Sequence, residues 1–269
     1  MNNVVAFPIE RDTSNIVPFS VIEGGKQEKK VKYNLDGSIK KTRCNKVAGT
    51  TSEVYAFRTH EEVEAMLSIF DKHISNAKGD GHRKVACRNK LLFVIGMNVG
   101  IRASDLRTLR WSFFYEESED GKLGFKKFYK LQPQKQKKHK KFVPMFFNPT
   151  VQIAIEDFVQ QYPIQNLNDY LFPSQKSDEA MEVASLWRII KEAAHEAGIK
   201  QNIGSHSLRK SFGFWAWHNA KDKNKALIIL QQIFAHSSPQ TTAKYIGILD
   251  DEIEDVFNSI NLGLDYLNQ

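Results

Sequence analysis

"AHSSPQTTAKYIGI", residues 235–248, sets a tyrosine nine positions after a histidine in a segment made mostly of Ser, Thr and other small residues. Taken alone it reads as a loop feeding a short helix. Pro239 suits a first helical position, where its missing N–H is no loss and its φ is already helical. The polar flanks predict a short, loosely packed helix with Tyr245 as a half-buried aromatic. Whether His236 and Tyr245 are ordinary surface groups or parts of a site depends on what the rest of the chain brings to them.

Working backwards, "KNKALIILQQIFAH" (223–236) and "SHSLRKSFGFWAWHNA" (205–220) read as helices. In the second, Ser205 is expected to cap a first turn that holds His206 and Arg209, three apart and so on one face. A helix start with a histidine and an arginine is an anion site in principle, because free N–H groups and the helix dipole favour a phosphate there. A solvated surface pair is the bland alternative. Further back, "RKVACRNKLLFVIGMNVG" (83–100) is a largely apolar helix stopped by Gly100, and "ASDLRTLRW" (103–111) opens another, with Ser104 as its expected N-cap. Arg102 is thereby left in the tight turn between them.

The remaining chain supplies the frame. "FRTHEEVEAMLSIFDKHI" (57–74) carries a capping box, Thr59 with Glu62, and a helical stripe of Val63, Met66, Leu67, Phe70 and Ile74. "GFKKFYKLQ" (124–132) and "KKFVPM" (140–145) are strand-like around the Lys-rich run "KQKKHKK" (135–141), a hairpin candidate. "TVQIAIEDFVQQY" (150–162) and "DEAMEVASLWRIIKEAAHEAG" (178–198) read as helices. The predicted fold class is mainly α with a small antiparallel β-sheet. Residues 1–56 read as a basic N-terminal arm, within which "VKYNLDGSIKKTR" (31–43) is either a hairpin turning at Asp36-Gly37 or unstructured. Residues 57–249 form the main domain. Residues 250–269 form a helical tail with Ile253, Val256, Phe257 and Ile260 on one stripe, suited to packing on its own core or on a neighbour.

Composition bounds the partners. A net charge of +7 and 41% hydrophobic residues describe a folded, basic chain that attracts polyanions: DNA, RNA or an anionic membrane surface. The two cysteines, Cys44 and Cys87, lie far apart and form no C-x-x-C pair, so a reducing, cytoplasmic location is expected. The N-terminus has no basic region followed by an apolar run, and no stretch approaches a membrane-spanning length.

The order Arg102, lysine, His206-x-x-Arg209, His236, Tyr245 is more specific than any of its parts. From about residue 57 onward it resembles the tyrosine recombinase, or phage integrase, family. "GIRASDLRTLRW" (100–111) is similar to the first arginine box, with Asp105 as its acidic residue. "KFVPM" is similar to the strand that ends the lysine-bearing hairpin. "SHSLRKSF" is similar to the H-x-L-R box, and "AHSSPQTTAKYIGI" to the box in which a histidine precedes the tyrosine nucleophile by nine positions.

The resemblance implies the DNA breaking-rejoining fold, a 3′-phosphotyrosyl intermediate at Tyr245 and a freed 5′-hydroxyl. Arg102 and Arg209 would neutralise the nonbridging oxygens, His236 would donate a further hydrogen bond, and His206 would assist the acid-base steps. Tyrosine titrates near pH 10, so only roughly one molecule in a thousand is phenolate at neutral pH and the attack needs a proton acceptor. A lysine from the hairpin would protonate the leaving 5′-oxygen. Lys135 is chosen, although the family's spacing falls on Gln136, so Lys135 needs a one-residue longer hairpin and Lys137 a shorter one. Lys137, Lys138, Lys140 and Lys141 are read as phosphate contacts in DNA binding. Neither a metal nor another cofactor is expected, since side-chain cations fill that role and no phosphate-cradling GxxxxGK[ST] loop is present.

The implied partners are double-stranded DNA, a homotetramer on that DNA and an accessory DNA-bending or directionality protein, with no membrane. Two departures stand out: the core-binding domain of about a hundred residues that family members carry before the catalytic domain is expected to be absent, and "FAH" (234–236) replaces the usual Leu-Gly-His. Two other functions fit the same boxes: a type IB topoisomerase-like enzyme that only relaxes or resolves DNA, and a non-catalytic or accessory-dependent DNA-binding protein.

Overall fold

The structure, a computed structural model, describes residues 54–133, 142–204, 206–248, 257 and 259, all within the unit Ser52–Gln269. The arm hairpin at 31–43, the lysine run 135–141, the Ser205 cap and nearly all of the C-terminal tail lie outside the described residues.

α1 (His60–Ser75) begins at the expected capping box, with Thr59 accepting from the Glu62 N–H and Glu62 reaching back. Its stripe faces inward, with Met66 and Phe70 buried. α2 (Asp80–Val99) is the central helix, apolar on several sides and packed against α1, α4 and α6. α3 (Ala103–Leu106) is a single turn whose N-cap is Arg102 rather than Ser104. The chain already turns at Gly100, so the backbone carbonyl of Arg102 takes the first helical bonds from Asp105 and Leu106 before a serine side chain is needed.

Two small antiparallel sheets follow, where one was expected. β1 (Tyr115–Glu117) pairs with β2 (Leu123–Phe125), and β3 (Phe128–Leu131) pairs with β4 (Val143–Phe146) in the register Phe128 to Phe146 and Leu131 to Val143. The segment read as one strand, 124–132, is divided at Lys126-Lys127: the Lys126 N–H donates to Phe114 and the Lys127 carbonyl accepts from Phe147. The change of partner at that point splits the sheet.

α4 (Pro149–Gln161) is capped by Asn148, with proline in its first turn. α5 starts only at Val183 and runs to Glu196. Residues 178–182, expected to be helical, are held extended by an Ala180–Pro173 bridge and a Met181 N–H bond to the Phe172 carbonyl, with Ala180 and Met181 buried. A tertiary partner outranks local helix propensity there. α6 (Ser207–His218), α7 (Lys223–Phe234) and α8 (Pro239–Ile246) complete the fold.

The buried side chains form two clusters. The larger gathers α1 to α5 and the β-strands around Leu92, Phe93, Phe114 and Phe172. The smaller unites Phe214, Leu230, Phe234, Ala243, Ile246 and Ile248. α6 joins them, contributing Leu208 to the first and Phe214 to the second. Residues 54–56, read from sequence as the end of the arm, pack on this body: Ala56 is buried and the Tyr55 N–H donates to the Asn202 carbonyl.

Candidate active site

Five of the six residues singled out in sequence come from four places in the fold and meet at one point. Gly100 closes α2 in the left-handed conformation, φ 64°, which a residue with a Cβ adopts only with strain. The sharp turn it allows aims Arg102 across to the C-terminus of α7, where its Nη2 lies 3.4 Å from the Phe234 carbonyl. Arg209, on the first turn of α6, donates from Nη2 to that same carbonyl at 3.0 Å and from Nη1 to the Gly100 carbonyl at 2.7 Å. Two guanidinium groups repel. A helix C-terminus carries partial negative charge, and its last carbonyl gives both a common anchor.

Arg209 is buried, with its guanidinium carbon 4.2 Å from the centre of the Phe234 ring. Desolvation brings its pKa down to about 10, with Tyr245 and Asp105 opposing that shift and Arg102 adding to it, so it remains charged at neutral pH. Asp105, buried on α3, is thus the countercharge near the pair.

The α7–α8 connection places the other two groups. Ala235 caps α7 in the left-handed region at φ 51°, and Ser238 caps α8 by accepting from the Thr241 N–H. Thr242, Ala243 and Ile246 are buried, so α8 is well packed on its inner face, contrary to the loose packing expected from its polar composition. Small residues pack closely: Thr242 hides its hydroxyl against the Ser238 carbonyl and the His236 ring. Tyr245 is left half-buried, its hydroxyl 3.2 Å from His206 Nδ1 and hydrogen-bonded by Arg209. Its ring meets those of Phe234 and His236, with centroids 5.5 and 5.0 Å away.

The electrostatics of the hydroxyl are mixed. Burial raises the Tyr245 pKa, while Arg209 and Arg102 act to lower it. The phenol is therefore the resting form, and the two cations favour the phenolate as it develops. His236 is held near a pKa of about 4, first by desolvation and then by Arg209 and Arg102, so it is a neutral hydrogen-bonding group at pH 7. His206 is the backbone N-cap of α6 and is exposed. The hydroxyl of Ser207 secures that helix start by accepting from the Gly204 N–H. This arrangement can hold an anion against two guanidiniums beside a phenol that has an imidazole nitrogen in contact. A separate cavity of about 520 Å³, lined by Lys84, Arg88, Trp111, Phe158, Tyr162 and Tyr170, contains none of these groups.

The phage integrase family model matches residues 57–252. The chain belongs to the phage integrase family. Among the proteins it is similar to is the probable integrase/recombinase YoeC of Bacillus subtilis, 29% identical over 164 residues that make up 61% of this chain and 80% of that protein. Another is the tyrosine recombinase XerD of Oceanobacillus iheyensis, 25% identical over 181 residues, 65% of this chain and 55% of XerD. The solved structure of the XerH site-specific recombinase bound to a palindromic difH substrate shares the fold with a TM-score of 0.54 at 22% identity, covering 80% of this chain and 55% of that one. The chain therefore spans little more than half the length of these XerD and XerH relatives.

Within this integrase-family fold, three contributors to the site were not singled out from the sequence. They are the Phe234 and Gly100 carbonyls, which hold the arginines, and the Thr242 hydroxyl, which meets His236. The two carbonyls carry no side-chain signal; Thr242 had a hint, as one of two adjacent threonines in a short helix. The hairpin lysine, Lys135 or Lys137, lies outside the described residues, as do Lys138, Lys140 and Lys141. Among the described residues, no helix is long and apolar enough to cross a membrane.

Proposed function

We propose that Tyr245 attacks a backbone phosphorus of double-stranded DNA, with Arg102, Arg209 and His236 stabilising the charge on the nonbridging oxygens. The observation that carries this reading is the convergence of both guanidiniums on one carbonyl beside a phenol hydroxyl that touches His206 Nδ1. The bond from Tyr245 Oη to phosphorus forms as the bond from phosphorus to the 5′-oxygen breaks. The phenol proton passes to His206 Nδ1, which is unprotonated when the ring carries its proton on Nε2. The departing 5′-oxygen takes a proton from Lys135. Reversal with a 5′-hydroxyl from another strand rejoins the DNA, and because the phosphotyrosyl ester keeps the bond's free energy, no nucleotide cofactor enters the reaction.

This is the chemistry of a site-specific recombinase, and the family membership supports it over a type IB topoisomerase-like or a non-catalytic DNA-binding role. The protein acts in the cytoplasm, at the nucleoid when bound, as a homotetramer on two duplexes, and an accessory DNA-bending or directionality protein assists it. Lys137, Lys138, Lys140 and Lys141 hold phosphates along the duplex; residues 1–56 are a basic arm, residues 57–249 the catalytic domain and residues 250–269 a helical tail for packing in cis or in trans.

The test incubates the full chain with a randomised library of nicked suicide duplexes and resolves covalent protein–DNA adducts on a denaturing gel. Wild type is expected to yield an adduct that maps to Tyr245, and Tyr245→Phe to yield none. An adduct that persists in Tyr245→Phe moves the nucleophile elsewhere.

A further inference from the structure

The eight-residue helix that carries Tyr245 is too short to hold its own shape, since isolated helices of that length are marginal in water. The direction of the phenol hydroxyl is therefore set by what anchors the two ends of α8. The N-terminal end has its serine cap, Pro239 and the Thr242–His236 contact. The other end is held from far away in sequence.

The extended segment before α1 is fastened to the body along its length. The Tyr55 N–H donates to the Asn202 carbonyl at 2.8 Å and the Phe57 N–H to Ser211 Oγ at 2.7 Å. Trp215 Nε1 donates to the Phe57 carbonyl at 2.9 Å, and the Arg58 N–H to Glu62 Oε2 at 2.7 Å. From this fixed base the Arg58 side chain extends to the C-terminus of α8 and donates from Nη2 to the Gly247 carbonyl at 2.9 Å. Its guanidinium carbon lies 5.2 Å from the Phe214 ring centre and 5.7 Å from that of Tyr55, so the planar cation is flanked by two aromatic rings.

Gly247 is fitted to receive it. As the C-cap of α8 it turns the chain at φ 79°, and its N–H returns to the Ala243 and Lys244 carbonyls. A Cβ at this position would stand 2.3 Å from Arg58 Nη2. A cation at a helix C-terminus is also the favourable sign for the helix dipole.

We propose that Arg58 is a positioning residue for the nucleophile: by holding the Gly247 carbonyl, two residues beyond Tyr245, it fixes the end of α8 and thus the aim of the phenol hydroxyl. The proposal rests on the reading of Tyr245 as the nucleophile. Arg58 acts through the helix, and its effect is on the rate of attack rather than on DNA affinity.

The experiment uses the full chain and a duplex drawn from the library that gives a wild-type adduct. Three quantities are followed: the single-turnover rate of adduct formation at saturating DNA, the apparent Kd for the same duplex, and backbone hydrogen exchange at 243–248 without DNA. Arg58→Met keeps the apolar stem and removes the donor. It is expected to slow adduct formation by about 10- to 100-fold, the scale of a misplaced reacting group, with Kd unchanged and exchange at 243–248 faster. Arg58→Lys, which retains a donor and a charge, should recover most of the rate. If Arg58→Met does not fold, Gly247→Ala decides, since its methyl would collide with Nη2 and displace it from the carbonyl, and should slow the adduct while leaving DNA binding intact. A wild-type rate in Arg58→Met, no recovery in Arg58→Lys, or a rate loss matched by equal losses of DNA affinity and thermal midpoint overturns the proposal. Absence of any Tyr245 adduct in wild type overturns the nucleophile assignment itself, and the positioning role with it.

Discussion

His236 shows how much of the site's chemistry is set by environment. An exposed imidazole titrates near 6.5; burial, then Arg209 and Arg102, take this one to about 4. The fold thus favours the neutral ring, and between these two values the unfolded chain binds a proton that the folded chain refuses. The contribution of His236 to stability is complete above about pH 6.5 and is lost as pH falls towards 4. The thermal midpoint of wild type is accordingly expected to drop more steeply across that window than the midpoint of His236→Gln, where this titration is absent. Calorimetry over a pH series checks it, and parallel slopes would count against the assignment. A neutral ring has one nitrogen that donates and one that accepts. For Nε2 to donate to a phosphate oxygen, as the proposed reaction asks, Nδ1 must accept, and the Thr242 hydroxyl 3.1 Å away can donate to it only in place of its bond to the Ser238 carbonyl.

At the scale of the element, termini matter more than helix interiors. The turn from α2 to α3 depends on Gly100, whose positive φ sends Arg102 towards α7 and whose missing Cβ admits the ring of Phe212: a Cβ would come within 2.2 Å of Phe212 Cδ1. Gly100→Ala is expected to cost at least about 2 kcal/mol, from left-handed backbone strain plus displacement of a packed ring. Chemical denaturation measures the loss, and adduct formation should fall further than the stability change alone implies, because Arg102 and the Gly100 carbonyl that holds Arg209 move together. This stop was legible in the sequence, as were the Thr59/Glu62 capping box and the Pro239 start of α8. The late start of α5 and the division of 124–132 between two sheets were not, because both are decided by backbone partners outside the segment itself: Pro173 and Phe172 in one case, Phe114 and Phe147 in the other.

Across the whole molecule, the site lies where two hydrophobic clusters adjoin. Gly100 and Arg102 follow directly on α2, which belongs to the larger cluster, whereas Phe234 and Ile246 of the smaller one support His236 and Tyr245. The two clusters are expected to respond differently to truncation. Ile246→Ala, at a fully buried position in the smaller cluster, should cost about 2–4 kcal/mol and also slow adduct formation, since the cavity it leaves lies on the inner face of α8, the helix that carries Tyr245. Met66→Ala, equally buried but within α1, should cost a similar amount and leave the rate unchanged wherever the protein is folded. Measuring rate and stability for both variants separates support of the site from support of the fold. Equal effects on rate would remove the distinction.

The sequence by itself determined which residues were singled out as the candidate site and in what order they occur, because each box has a local pattern: a glycine stop before an arginine, a histidine and an arginine three apart, a proline-started helix bearing a tyrosine near its end. It also determined most helix boundaries, through caps and apolar periodicity. Only the tertiary structure decided that the two arginines share one carbonyl, that α8 is packed tightly, and that Arg58 reaches its far end. Those depend on backbone carbonyls and on contacts between residues more than a hundred positions apart, such as Arg58 with Gly247 and Arg209 with Gly100. Backbone acceptors are chemically alike at every position, so no residue pattern marks the ones that hold a guanidinium in place.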